Sequence, residues 1–134
     1  MKTILVEISF GELLDKISIL EIKKEKISVS QKLKFINHEL NLLKIQFDEI
    51  VNSKNFKNKD KIQELYSSLK EINAKLWIIE DDKRLCENKS NFGENFIKLS
   101  RNVHFFNDER SKIKLKINNL TDSEIMEVKQ YTSY

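Results

Sequence analysis

A chain of 134 residues with no proline and only two glycines, Gly11 and Gly93, lacks the residues that let a backbone reverse sharply. Average usage would supply about six prolines and nine glycines. Sandwiches, barrels and Rossmann-type sheets all need many turns built from those residues, so they are excluded. Long helices with few connections remain. The expected class is all-α.

Start signals and apolar periods agree, because each capping box opens an apolar pattern of helical period. Ser9/Glu12, Ser28/Gln31, Asn91/Glu94 and Thr121/Glu124 each fit a capping box, in which a first-turn amide and the cap amide are satisfied reciprocally. The period predicts helices over about Phe10–Ile27, Val29–Asn52, Lys59–Asn88 and Phe92–Asn119. In the second, Leu33, Ile36, Leu40, Leu43, Phe47 and Ile50 recur at alternating spacings of 3 and 4, a coiled-coil-like seam. The third carries Ile62, Leu65, Leu69, Ile72, Leu76, Ile79 and Cys86, broken by Lys83. The fourth carries Phe96, Leu99, Val103, Phe106, Ile113, Ile117 and Leu120, broken only by Arg110. The first shows Leu13, Ile17, Leu20 and Ile27, with Leu14, Ile19 and Ile22 on other faces, so it should be contacted from more than one side. Short linkers favour two antiparallel hairpins in one domain over 1–134. A β-branched run, Lys2 to Ile8, should lie extended before them, and a short helix or strand should follow Thr121.

The charges are mixed rather than segregated. Lys plus Arg number 24 against 21 for Asp plus Glu, a net +3, and 21 of the bases are lysine. With 17 isoleucines and 13 asparagines, this is the composition of A/T-rich codons, and acids interleave with bases nearly everywhere. No nucleic-acid partner is expected. Apolar runs are too short for a membrane span, and no secretory leader pattern opens the chain. One cysteine, Cys86, makes neither an internal disulfide nor a cysteine zinc site. His38 and His104 lack a helical H-x-x-x-H partner, so no metal is expected. Two glycines build no phosphate loop. The expected location is cytoplasmic.

Three constellations could carry chemistry. Glu12, Asp15 and Lys16 share adjoining parts of one helical face, with Glu21 further along. E-x-x-D is the pair with which all-α nucleotide pyrophosphohydrolases hold magnesium, but their second E-x-x-E pair is missing: Glu80, Asp81, Asp82 and Glu87 have the wrong spacing. The bland alternative is a capped, solvated, salt-bridged face. Second, Trp77 precedes Glu80 to Arg84, where Glu80–Arg84 and Glu87–Lys83 can pair at i,i+4. The indole could stack on a sugar or base, or simply cover a helix–helix edge. Third, Arg110 interrupts a seam, where an unpaired guanidinium would be very costly. It must take an acid partner, open onto water or hold an anion. A hairpin turn at Asn91 puts it opposite Glu71 and Ile72, and Arg101 opposite Asp81. Glu71 is therefore the expected partner. Small helical chorismate mutases are rejected, because their first-helix arginine has no counterpart between Phe10 and Ile27.

Three stretches together carry a resemblance: Val6 to Lys23 (VEISFGELLDKISILEIK), Leu76 to Arg84 (LWIIEDDKR), and Asn107-Asp108-Glu109-Arg110 with Lys114. With the closing Glu127-Val128-Lys129-Gln130-Tyr131, they resemble a bacterial and marine family of helical chains of this length that bears a domain-of-unknown-function label. Some members are encoded near glycosyltransferases and other surface-polysaccharide genes. The resemblance implies that pathway and no particular reaction.

The leading expectation is a non-enzymatic interaction or accessory protein, since no complete catalytic constellation can be assembled from spacing. Phe35, Phe56, Trp77 and Phe105 lie outside the main seams, so a homodimer is expected. The rival is an all-α enzyme or binding protein for a nucleotide, nucleotide sugar or other anionic metabolite. Its site would gather Asp15, Lys16 and Glu21 with Asp81, Arg84, Asn107, Asp108 and Arg110, and magnesium would enter only on that reading. Asp15, Asp108 and Arg110 should then border one solvent-open cavity within about 10 Å.

Overall fold

The structure, a computed structural model, describes residues 2–134; Met1 of the 1–134 domain span lies outside the described residues. Four helices make up the fold: α1 (Phe10–Lys26), α2 (Ser30–Val51), α3 (Lys59–Asn88) and α4 (Glu94–Leu120). No strand forms among the described residues. The all-α class and four-helix order are as the periodicity dictates, and the bounds of α3 coincide with the expected ones.

The cap chemistry departs from the sequence pattern. Ser9 does cap α1, its Oγ accepting from the Glu12 amide at 3.1 Å. Glu12 does not reach back, because its carboxylate is taken by Lys114. The other three boxes do not form. Val29 stands at the cap of α2 and Gly93 at that of α4, neither with a side-chain hydrogen bond. Asn91 accepts instead from the Gly93 amide, inside the turn. Thr121 looks backward, donating its hydroxyl to the Ile117 carbonyl at 2.9 Å, so it closes α4 and starts nothing. The expected short helix or strand after it is absent, and residues 123–134 run as an irregular tail. Residues 2–8 likewise form neither helix nor strand.

Glycine is scarce because polar residues do its work. α3 ends with Ser90 at φ 51°, the Asn91 amide bonding to the Cys86 carbonyl and the Ser90 amide to that of Glu87. α4 ends the same way through Asp122 at φ 50°. Both are Schellman endings with the left-handed position filled by a short polar side chain.

α1 is the centre of the molecule, packing against α2, α3 and α4, while α3 and α4 pack along each other as an antiparallel hairpin. The core gathers Leu13, Leu14, Ile17 and Leu20 of α1 with Ile36, Leu40, Ile62, Leu65, Leu69 and Ile117. Phe10 stacks on Phe47 and tilts onto Phe56, closing one end. The multi-sided burial expected of α1 is met: Leu14 and Ile22 are buried as fully as the main stripe. Gly11 is where α1 crosses α4. A Cβ there would stand 2.7 Å from the Lys114 carbonyl oxygen, and only glycine lets the two backbones approach so closely.

At 1.5 Å per residue, α1 spans about 26 Å and α3 about 45 Å. The far half of the α3/α4 hairpin therefore extends past α1 as a two-helix arm. Trp77, Phe96, Leu99, Val103 and Phe106 are only half-buried along it.

Candidate functional site

Gly11, Asp15, Ser18 and Ile22 recur at i, i+4, i+7 and i+11, so they form one line along α1. That line faces the α3/α4 hairpin. Asp15 is 1 % exposed and Ser18 fully buried, so the solvated face drawn for Glu12, Asp15 and Lys16 is corrected: Asp15 belongs to the interior.

The buried carboxylate is surrounded by donors. Asn73 of α3 donates one amide proton to Asp15 Oδ1 at 2.8 Å and the other to Ser18 Oγ at 2.8 Å. Ser18 in turn donates to the Asp15 carbonyl. Arg110 of α4 grips both carboxylate oxygens, Nε to Oδ1 at 2.9 Å and Nη2 to Oδ2. Such a bidentate fork is the strongest geometry available to the pair. Lys114, one turn on, lies 3.7 Å from Oδ2 and bonds to Glu12 at 2.6 Å and to Glu127 of the tail at 3.0 Å. Nearby, Asn118 accepts from the Gly11 amide at 2.7 Å, satisfying a second first-turn donor of α1. Among the described residues, no buried side-chain nitrogen or oxygen lacks a partner.

The expected Glu71 partner of Arg110 is thus overturned. The hairpin register is right, since Arg110 and Asn73 converge on one carboxylate, but the acid comes from α1 and Glu71 pairs with Lys75 on its own helix. Burial pushes the Asp15 carboxyl upward; the Arg110 and Asn73 hydrogen bonds and the charges of Arg110 and Lys114 outweigh it, and it titrates below the usual range. The Asp15 hydrogen bond holds Arg110 above its ordinary value. Burial lowers Lys114, but Glu12, Glu127 and Asp15 together raise it.

Glu21 belongs to a second group, facing α2 and the start of α3. Tyr66 donates to it at 2.6 Å, and Lys44 and Lys70 lie at 2.9 and 3.2 Å. Burial and the carboxylate push the Tyr66 phenol well above its ordinary value. Beside this group is a mostly apolar cleft of about 450 Å³ between α1, the end of α2 and the start of α3, lined by Leu14, Ile17, Phe47, Val51, Phe56 and Ile62.

Of the eight candidate residues, Asp15 and Arg110 meet directly, and Asn107 joins them by accepting from Arg110 at 3.4 Å. Asp108 accepts from the Tyr134 hydroxyl on another flank of α4, where the ring also packs against His104 and Phe105. Lys16 is exposed. Asp81 and Arg84 are exposed on the arm, about 12 and 16 Å of helix beyond Asn73. Neither Glu80–Arg84 nor Glu87–Lys83 closes to an ion pair among the described residues. Among those residues, too, no three His, Cys, Asp or Glu side chains stand together to hold a metal. The structure adds Ser18, Asn73, Lys114, Asn118, Tyr66 and Lys44. The available signal was that Gly11, Asp15 and Ser18 fall in one line, a small and polar strip on a helix whose neighbouring faces are apolar.

No curated protein and no solved structure matches the chain. A family model does, over residues 4–134, which takes in α1 to α4, the Asp15 network and the tail that supplies Glu127. The chain belongs to DUF6165, a family of unknown function.

Proposed function

We propose that this chain is a non-enzymatic helical interaction protein, a cytoplasmic accessory factor that works as one domain through its outer helix faces. Its place in surface-polysaccharide assembly is proposed from the family resemblance. The observation that carries the reading is the charge count around Asp15. Three carboxylates (Asp15, Glu12 and Glu127) surround two cations (Arg110 and Lys114), and each cation is already held by an acid. A phosphate entering there would face net negative charge and would have to displace a bidentate carboxylate. The network therefore supports a lock between α1 and the hairpin. Large apolar side chains are instead turned outward, Phe35 at 70 % exposure and Leu85 at 55 %. Among the described residues no helix is long and apolar enough to cross a membrane, and the reading calls for neither a span nor nucleic acid.

The cleft of about 450 Å³ beside Glu21 favours a second reading, binding of a nucleotide, nucleotide sugar or other anionic metabolite. Its size is in the ordinary range for small-molecule sites, and Lys44 and Lys59 stand at its edge. Magnesium would enter only on this reading. A thermal-shift screen of nucleotides and nucleotide sugars, with and without magnesium, separates the two. A true ligand at a hundred times its Kd adds about 2.7 kcal/mol, several degrees in Tm. The accessory reading expects no such shift. A shift abolished by a cleft substitution such as Tyr66→Phe, with Arg110→Ala responding normally, would replace it with the second.

A further inference from the structure

α2 has two seams, and the fold uses one. Ile36 and Leu40 are buried, with Leu33, Leu43 and Phe47 half-buried behind α1. On the opposite side of the helix, Phe35, His38, Leu42 and Ile45 follow the 3,4,3 spacing of a second heptad stripe and are all exposed, Phe35 at 70 %, Leu42 at 46 % and Ile45 at 57 %. α2 is held chiefly by α1, so this stripe faces away from the rest of the molecule.

The stripe is a palindrome in position, and the charges beside it change sign from one end of the helix to the other. About residue 40, Phe35 mirrors Ile45 and His38 mirrors Leu42. The first half of the helix carries Lys32 and Lys34 beside the stripe, and the second half carries Asp48 and Glu49. Lys44, which would spoil the pattern, is turned inward onto Glu21. Two copies laid antiparallel about residue 40 would pack Phe35 on Ile45 of the second copy. They would also bring Lys34, whose mirror position is Gln46, within two residues of Asp48 on the same flank of the second copy, about 3 Å along the axis and within a lysine's reach, twice, and oppose the helix dipoles favourably. A parallel pair would stack Lys34 on Lys34 and Asp48 on Asp48. Charge complementarity therefore selects both the occupant and its direction. We infer that α2 docks onto α2 of a second copy, antiparallel and centred at residue 40. This names the first partner of the interaction reading and rests on it only for the idea that outer faces do the work.

Three large apolar side chains per copy put the contact at the low end of interface sizes, so the dimer should dissociate in the micromolar range. Glu39 meets its own copy near the axis, a like-charge contact that weakens it further. Sedimentation equilibrium from about 1 to 200 µM tests the proposal on the whole chain. The wild type should pass from monomer to dimer mass across that range. Leu42→Glu should stay monomeric with unchanged far-UV circular dichroism, whereas Leu85→Glu on the arm should dimerise normally. Glu39→Gln should tighten the dimer. Lys34→Glu and Asp48→Lys should each weaken it, and the two together should restore it, as only the antiparallel register allows. A monomer at every concentration, a dimer that survives Leu42→Glu, or charge changes that add without rescue would each overturn the inference. A monomer indifferent to nucleotides would still leave the accessory reading standing. Ligand-induced stabilisation of an intact α2 dimer would remove that reading and leave the dimer.

Discussion

Asp15 is the residue on which the packing of α1 turns. Its ionised carboxylate is buried only because Arg110, Asn73 and Lys114 surround it, so removing one partner strands a charge in the interior. Arg110→Ala is expected to destabilise the chain by about 3 kcal/mol with no ligand present, measured by chemical denaturation. Asp15→Asn leaves the guanidinium unpaired and should cost a similar amount. The folded Asp15 carboxyl titrates below its unfolded value of about 3.9, so its contribution is complete above that pH and lost as pH falls through the folded value. Acid unfolding of Asp15→Asn should accordingly be shallower than that of wild type below about pH 4, even though the variant starts less stable. That Arg110 needs an acid partner, water or an anion was legible from its place in an apolar seam, with an acid the expected one. Which acid was not, because a seam reports its neighbour in the hairpin and says nothing of a third helix crossing both.

The helices were readable in their middles and less so at their ends. Apolar period fixes which residues can be buried, and the seam of α3 from Ile62 to Cys86 is buried throughout as drawn. A capping box is only four residues long and recurs by chance in a chain this rich in serine, asparagine and glutamate. Ser28/Gln31 fails by one residue: α2 begins at Ser30 and leaves exposed Val29 in the extended cap conformation, φ −69° and ψ 115°. A valine there offers the orphan first-turn amides nothing. Val29→Asp should add about 1 kcal/mol, through a cap hydrogen bond and a favourable charge at the helix start, read as a rise in the denaturation midpoint at constant m-value. No gain would mean that Val29 packs against something its exposure does not reveal.

At the scale of the whole molecule, stability is unevenly shared between the two ends of the long hairpin. Near Asn73 and Arg110 the hairpin is clamped by α1, and Leu69 and Ile117 there are fully buried. Toward Ser90 it has only itself. Ile79 and Cys86 are buried on α3, but their counterparts Phe96, Leu99 and Val103 on α4 remain half-exposed, and Ile78, Leu85 and Ile97 face outward. A two-helix arm gains less from burial per residue ordered than a helix wrapped on three sides, so its opening costs less than global unfolding. The tail reinforces the opposite end, since Glu127 bonds to Lys114 and its carboxyl is held low by that lysine. Hydrogen exchange should therefore show two tiers: amides of α1, of α3 before Asn73 and of α4 after Arg110 protected to nearly the global stability, and those between about 80 and 105 exchanging through a smaller opening. Arg110→Ala should pull the upper tier down and leave the lower nearly unchanged, because the clamp it breaks is not the one that holds the arm. If both tiers fell together, the arm and the four-helix end would be one cooperative unit, and the arm would have no opening of its own.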